Sequence, residues 1–222
     1  MAELALWTDP LADSNCYLLG EGGACVVIDP NDPEGPAGRL MELGWTPELV
    51  FLTHEHCDHM AGVPALRARW PGVKVIASAA CSANLQNTRI NMSAMMEVYL
   101  TFHGKPGVTY PPFACGAADI AYTEPYETIW RGHRIRCVPL PGHTPGSAGV
   151  FWDGDTLFSG DYLLPGGETV LRLPGGSEEE YETFTWPFLE ALPPGLTIRP
   201  GHGASYTLGR GEDAVGWTGK RC

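Results

Sequence analysis

The chain is short of positive charge. Fourteen lysines and arginines face 26 aspartates and glutamates, a formal net charge of −12 over 222 residues. So acidic a surface repels a phosphate backbone, which sets a nucleic-acid partner aside. Long apolar runs are missing: no stretch approaches the roughly 18 residues a bilayer crossing needs, so no membrane span is expected. The opening residues, MAELALWTDP, lack the basic start and long apolar core of a secretory signal. Paired cysteines are missing too. Cys16, Cys25, Cys57, Cys81, Cys115, Cys137 and Cys222 are scattered with no C-x-x-C, which excludes a thiolate metal site; their odd number argues against a disulfide scaffold. A reducing, cytoplasmic setting is therefore expected. Charged residues make up only 18% against 44% hydrophobic, a globular composition rather than a disordered one. The length suits one domain, 1–222, with an insertion. No internal repeat is visible.

Glycine and proline, by contrast, are plentiful (28 and 20), which implies many turns and loops between short elements. NCYLLG (15–20) and ACVVIDP (24–30) read as strands flanking a Glu-Gly-Gly turn. AGRLMELG (37–44) has a helical period, ELVFLT (48–53) is a strand buried on both faces, GVPALRARW (62–70) a helix and VKVIAS (73–78) a strand. Residues 79–117 break the alternation and read as an insertion on the edge of the scaffold. Its apolar set Met92, Met95, Met96, Tyr99 and Phe102 suits core packing or a lid. Strand character returns over 127–140, 148–153, 156–161 and 197–202. A helix is expected over 179–192, with Tyr181, Phe184, Phe188, Leu189 and Leu192 inward.

Three of the seven histidines fall in one heptapeptide, THEHCDH (53–59), directly after a predicted strand. If this is a metal loop, further ligands should lie in tight loops elsewhere. LPGHTPGS supplies His143, FSGDYL supplies Asp161 and RPGHGAS supplies His202, each preceded by a glycine that permits a sharp turn or close approach. Imidazole and carboxylate donors suit Zn²⁺, Fe or Mn. His103 and His133 match no motif and read as structural or surface residues. Glu55 is expected to face solvent or support the ligands, and Cys57 to be a small buried residue.

The ordered set NCYLL, VVIDP, FLTHEHCDH, PGHTPGS, LFSGD, LPGGSEEEY and PGHGASYTLG resembles the metallo-β-lactamase-fold hydrolase superfamily, and within it the glyoxalase II-like (hydroxyacylglutathione hydrolase-like) branch. The resemblance implies an α/β fold, a four-layer αββα sandwich of two mixed β-sheets. It implies two divalent ions, zinc foremost, with iron or manganese as alternatives. His54, His56 and His143 would hold one, Asp58, His59 and His202 the other, and Asp161 would bridge them. It further implies a bridging hydroxide as nucleophile, with Asp58 and Asp161 as catalytic carboxylates, acting on a small acyl-thioester. His56 stands where flavodiiron relatives carry a carboxylate, which argues against a redox centre of that type. Full-length relatives add a C-terminal helical domain for glutathione; here 20 residues follow His202, so glutathione specificity is not expected. Where small relatives have an arginine and aspartate before LPGGS, this chain has TVLRLPGGS, and Arg172 is a candidate for an anionic substrate group. Tyr99 and Tyr162 are further candidate substrate contacts. A mononuclear iron persulfide dioxygenase, using His54, His56, His143 and Asp161, and a lactonase are the alternatives; a non-catalytic binding module should have lost ligands, and none is lost. The expected partner is a small molecule, and the chain a monomer or homodimer.

Overall fold

Alternation along two strands sets the architecture. In β2 (Asn15–Glu21), Cys16 and Leu18 enter one core while Tyr17 and Leu19 enter another; in β3 (Ala24–Ile28), Cys25 and Val27 oppose Ala24, Val26 and Ile28. Side chains alternate across a strand with a period of two, so a strand apolar at every position must be covered on both faces. The structure, a computed structural model, describes residues 2–209 and meets this demand with two mixed six-stranded sheets packed face to face. The first runs β1-β2-β3-β4-β5-β6, with β1 (Glu3–Thr8), β4 (Thr46–Phe51), β5 (Lys74–Ser78) and β6 (Ile120–Tyr122). The second runs β12-β11-β10-β9-β8-β7, with β7 (Tyr126–Trp130), β8 (His133–Pro139), β9 (Ala148–Trp152), β10 (Thr156–Gly160), β11 (Thr197–Pro200) and β12 (Tyr206–Thr207). The β3, β4, β5 and β6 neighbours pair in parallel, as do β10 and β11.

Three cores separate four layers. Helices α1 (Gly35–Leu43) and α3 (Val63–Arg69) send Leu40, Val63 and Leu66 against the outer face of the first sheet. Between the sheets, Tyr17, Ile28, Phe51 and Ile76 meet Ile135, Val150 and Phe158. Beyond the second sheet, Trp186, Leu189 and Leu192 cover Leu157 and Ile198. Burying a side chain of this size contributes roughly 1.5–3 kcal/mol. Among the described residues no helix is long and apolar enough to cross a membrane.

One reading of the sequence is corrected. The helix over 179–192 is three pieces: α6 (Glu178–Glu180), a π-turn (Tyr181–Thr185) and α7 (Trp186–Glu190). Pro187 has no N–H to continue the ladder, and the wider turn shifts the helical phase. Thr185 and Trp186 therefore face inward, and Phe184, expected inside, is 62% exposed. The segment 79–117 is the crossover between parallel β5 and β6. It holds α4 (Ala79–Asn84) and α5 (Met96–Phe102), and it lends Cys81, Leu85 and Cys115 to the first core. Parallel strands require such a connection.

Candidate metal centre

The β4 strand ends at Phe51, and the chain runs extended through His56 before turning into the four-residue helix α2 (Cys57–Met60). That turn folds His59 back over His54, with ring centroids 4.2 Å apart. The remaining candidates arrive from the second sheet: His143 after β8, Asp161 at the end of β10, His202 after β11. Two of the preceding glycines are required by space. Gly160 has φ +55 and a Cβ there would stand 2.6 Å from Thr53 Oγ1; at Gly201 a Cβ would stand 2.7 Å from Asp161 Oδ1.

All seven candidates converge, in two groups. His54, His56, His143 and Asp161 form one and Asp58, His59 and His202 the other, the potential donor atoms of each group lying within 4.8 Å of one another. Asp161 belongs to both by contact. Its Oδ2 is 3.3 Å from His143 Nε2, while its Oδ1 is 3.2 Å from His59 Nε2 and 3.5 Å from His202 Nε2. Asp58 Oδ2 lies 3.4 Å from His202 Nε2, and His143 Nε2 lies 3.1 Å from His56 Nδ1.

The far nitrogens of three histidines are held, which fixes the proton on each ring. His143 Nδ1 donates to the Val170 carbonyl at 2.7 Å, leaving Nε2 a bare lone pair. Asp29, in the left-handed region at the end of β3, accepts the Thr53 amide (2.7 Å), the Thr53 hydroxyl (2.6 Å) and His59 Nδ1–H (3.0 Å). With the Thr53 hydroxyl proton directed to Asp29, its oxygen accepts from His54 Nδ1 at 3.1 Å. His54 thus presents an unprotonated Nε2, and His59 does so in its neutral form. These two nitrogens and Asp161 Oδ1 are buried without a hydrogen-bond partner. A buried unsatisfied group of this kind costs about 1–3 kcal/mol, and bare imidazole nitrogens beside carboxylate oxygens are what a divalent cation satisfies. The residues therefore fit a metal centre.

The electrostatics differ between the two groups: burial lowers His59 and His202, but Asp58 and Asp161 overcome it and raise both, so in the second group each imidazole holds a proton that a bound cation would displace. Burial, with neighbouring imidazoles, holds His54 far below its ordinary range and His56 down to about 3, so both are neutral. Burial raises Asp58 and Asp161, but the surrounding histidines overcome it and keep both ionised, Asp58 at about 2.

Around the centre lies a cavity of about 280 Å³, lined by His56, Asp58, His143, Asp161 and His202 on the ligand side. Its walls come from the 79–117 crossover (Met92, Met96, Tyr99, His103) and from the strap after β10 (Val170, Arg172, Leu173). Tyr99 and Arg172, candidate substrate contacts in the sequence, both line this cavity. Tyr162 is not: it is buried, its hydroxyl donates to the Leu140 carbonyl (2.7 Å) and accepts the His143 amide (2.9 Å), so it props the His143 loop from behind. Met95 and Phe102 are likewise off the cavity and exposed. Glu55 does not face solvent; it is fully buried, accepting from Thr144 Oγ1 (2.8 Å) and Asn84 Nδ2 (3.0 Å), and ties the crossover to the His143 loop. His133 pairs with Asp153 at 2.6 Å, away from the centre. Asp29 is the residue sequence reading passed over; an aspartate closing a wholly apolar strand was the available signal. A larger groove, about 440 Å³, lies outside the second sheet beside Phe151 and Phe188 and contains none of the candidate ligands.

Residues 10–202 match the family model described as the metallo-beta-lactamase superfamily. A hydroxyacylglutathione hydrolase of Anaeromyxobacter dehalogenans is 30% identical over 86% of the chain, which spans 61% of that relative's length. The probable metallo-hydrolase YqgX of Bacillus subtilis is 28% identical over 86% of the chain and 85% of its own length. Among solved structures, TTHA1623 in a di-iron-bound form superposes with a TM-score of 0.68 at 26% identity, covering 92% of this chain and 94% of that one. The BLEG-1 B3 metallo-beta-lactamase superposes at 0.76 with 24% identity, covering 93% and 94%, a likeness of fold.

Proposed function

Since the chain belongs to the metallo-beta-lactamase superfamily, we propose that it is a metal-dependent hydrolase that takes two divalent ions, zinc foremost, at this centre and cleaves small acyl-thioesters. One observation carries the reading: the two oxygens of Asp161 face different ligand groups, Oδ2 toward His143 and Oδ1 toward His59 and His202. His54, His56 and His143 would hold one ion, Asp58, His59 and His202 the second, and Asp161 both. Bound divalent ions supply a water nucleophile at neutral pH and polarise the attacked carbonyl.

The protein's own part is to orient and to exclude. Asp29 and the Val170 carbonyl keep the donor nitrogens bare. Asp58 and Asp161 stay ionised and can accept a proton hydrogen bond from an approaching water. Met92, Met96 and Leu173 give the cavity an apolar wall that suits an acyl group and keeps bulk water away. In this reading the 79–117 crossover serves as that wall, part of a single domain. The hydroxyacylglutathione hydrolase relatives support a thioester, while the part of their length that this chain does not span leaves the thiol portion open.

Elemental analysis of protein purified without chelators, followed by a thioester and lactone panel, tests the proposal. About two metals per chain with thioester turnover is the expected result. Asp161→Asn should lower kcat by at least about 10³-fold and reduce metal content while the circular dichroism spectrum is kept. One iron per chain with oxygen uptake on a persulfide would overturn it in favour of a dioxygenase.

A further inference from the structure

Among the described residues, Arg172 is the only lysine or arginine that lines the cavity. Of the described arginines, Arg39, Arg67, Arg131, Arg134 and Arg136 each pair with a carboxylate, whereas Arg69, Arg89, Arg172 and Arg199 do not, and of these four Arg172 alone lines the cavity. An unpaired guanidinium on a chain of charge −12 is a site where an anion is attracted against the general field.

Its backbone is fixed. Thr169 Oγ1 donates to the Asp161 carbonyl (3.2 Å), Val170 O accepts from His143 (2.7 Å), and downstream Gly176 N bonds Leu173 O (2.8 Å) and Ser177 N bonds Gly142 O (2.8 Å). Arg172 sits between these anchors, so the strap that orients a candidate ligand also carries the guanidinium. Burial separates the wall from the rim: Met92 and Met96 are buried, at 7% and 4% exposure, whereas Arg172 and His103, which line the same cavity, are exposed. His103 is held there by its Nδ1 bond to Tyr99 O (2.8 Å) and by stacking on the Tyr99 ring at 3.9 Å.

We infer that the substrate is an ester or thioester carrying a carboxylate or similar anion a few bonds from the scissile carbonyl, with Arg172 as the residue that binds that anion and sets specificity. This rests on the hydrolase reading above. Met92, Met96 and Leu173 give the cavity shared by the candidate ligands and Arg172 an apolar wall, and its volume of about 280 Å³ suits a short substrate. Guanidinium pairs bidentately with carboxylate, whereas a neutral amide of the same shape gains one weaker bond at best.

Matched probes test it. The acyl arm compares N-acetylcysteamine thioesters of glutaric acid and of its monoamide; the thiol arm compares acetyl thioesters of 3-mercaptopropionate and 3-mercaptopropionamide. The expected result is a kcat/KM at least about tenfold higher for the carboxylate member of one arm, which identifies the side that bears the anion. Arg172→Gln should abolish that preference, the loss falling mainly on KM, with metal content and the circular dichroism spectrum kept, and Arg172→Glu should reverse it. The same preference should appear in the affinities of the corresponding non-hydrolysable thioethers for the metal-loaded protein. If no probe is turned over but the carboxylate thioether binds tighter and Arg172→Gln removes the difference, the anion site stands and the thioesterase reading falls. Equal binding of carboxylate and amide thioethers in both arms overturns the inference.

Discussion

Asp29 offers no atom to the candidate metals, yet two of the histidines depend on it. Its carboxylate takes the Thr53 hydroxyl proton and the His59 Nδ1 proton, and through Thr53 it also fixes His54. Asp29→Asn keeps the size but replaces an acceptor with an amide that must donate. The tautomers of His54 and His59 are then no longer imposed, and a proton can reside on the nitrogen that should face the metal. The expected loss is about 10–100-fold in metal affinity, the usual cost of removing such a partner, measured by competition with a chromophoric chelator. Unchanged affinity in a correctly folded Asp29→Asn protein would show that the rings are oriented by packing alone. Tyr162 shows the same logic in reverse: a tyrosine beside a bridging aspartate in sequence turns out to brace the loop that bears His143, because its hydroxyl already has both a donor and an acceptor.

At the scale of elements, what could be read in the sequence was what local pattern governs. The strands of the central sheets, the α1 and α3 helices and the glycine-led ligand loops all announce themselves through periodicity or turn residues. β1, β6 and β12 do not. β1 lies on an edge and is exposed at most positions, so burial leaves little imprint on its residues, while β6 and β12 are three and two residues long and exist only because a neighbour supplies the ladder. The π-turn escaped notice because its cause, Pro187, acts on the preceding turn. The crossover was legible as something distinct, with its apolar set open between core packing and a lid, since helical periodicity cannot say which apolar face meets a cavity. Its faces now separate: Met96 and Tyr99 line the cavity, while Met95 and Phe102 are 39% and 84% exposed. Met96→Ala and Tyr99→Ala should each raise KM for the best thioester by roughly 5–30-fold, in line with the ~1–2 kcal/mol that truncating a partly buried apolar contact costs. Met95→Ala and Phe102→Ala should leave KM within twofold. Steady-state kinetics on the four variants decides it, and a uniform response would remove the crossover from substrate binding.

The whole molecule has a property that no single site displays. Six of the seven cysteines lie within the described residues, and all six are buried and free, distributed among the first core, the inter-sheet core and the cluster beneath the crossover. Cys222 lies outside the described residues. Burial pushes Cys25, Cys115 and Cys137 each up to about 12. A raised thiol pKa means that the folded state favours the neutral form. The contribution is therefore complete below the unfolded value of about 8.5 and is lost as pH rises, because the unfolded chain releases its thiol protons first. The loss is confined to the window between about 9 and 12, at roughly 1.4 kcal/mol per pH unit for each thiol. Three thiols together would erode most of the ~5–15 kcal/mol of a typical domain within two or three units. The urea midpoint should thus fall steeply between pH 9 and 11. In Cys25→Ala/Cys137→Ala the midpoint should start lower, because two small cavities are made, and yet fall less steeply. In the native protein at pH 8.5, iodoacetamide should leave Cys25, Cys115 and Cys137 unlabelled, read site by site by mass spectrometry, and should modify all three in urea. A midpoint flat to pH 11 would mean that these cores admit water or move enough to ionise in place, and the tight burial that positions the centre would lose its support.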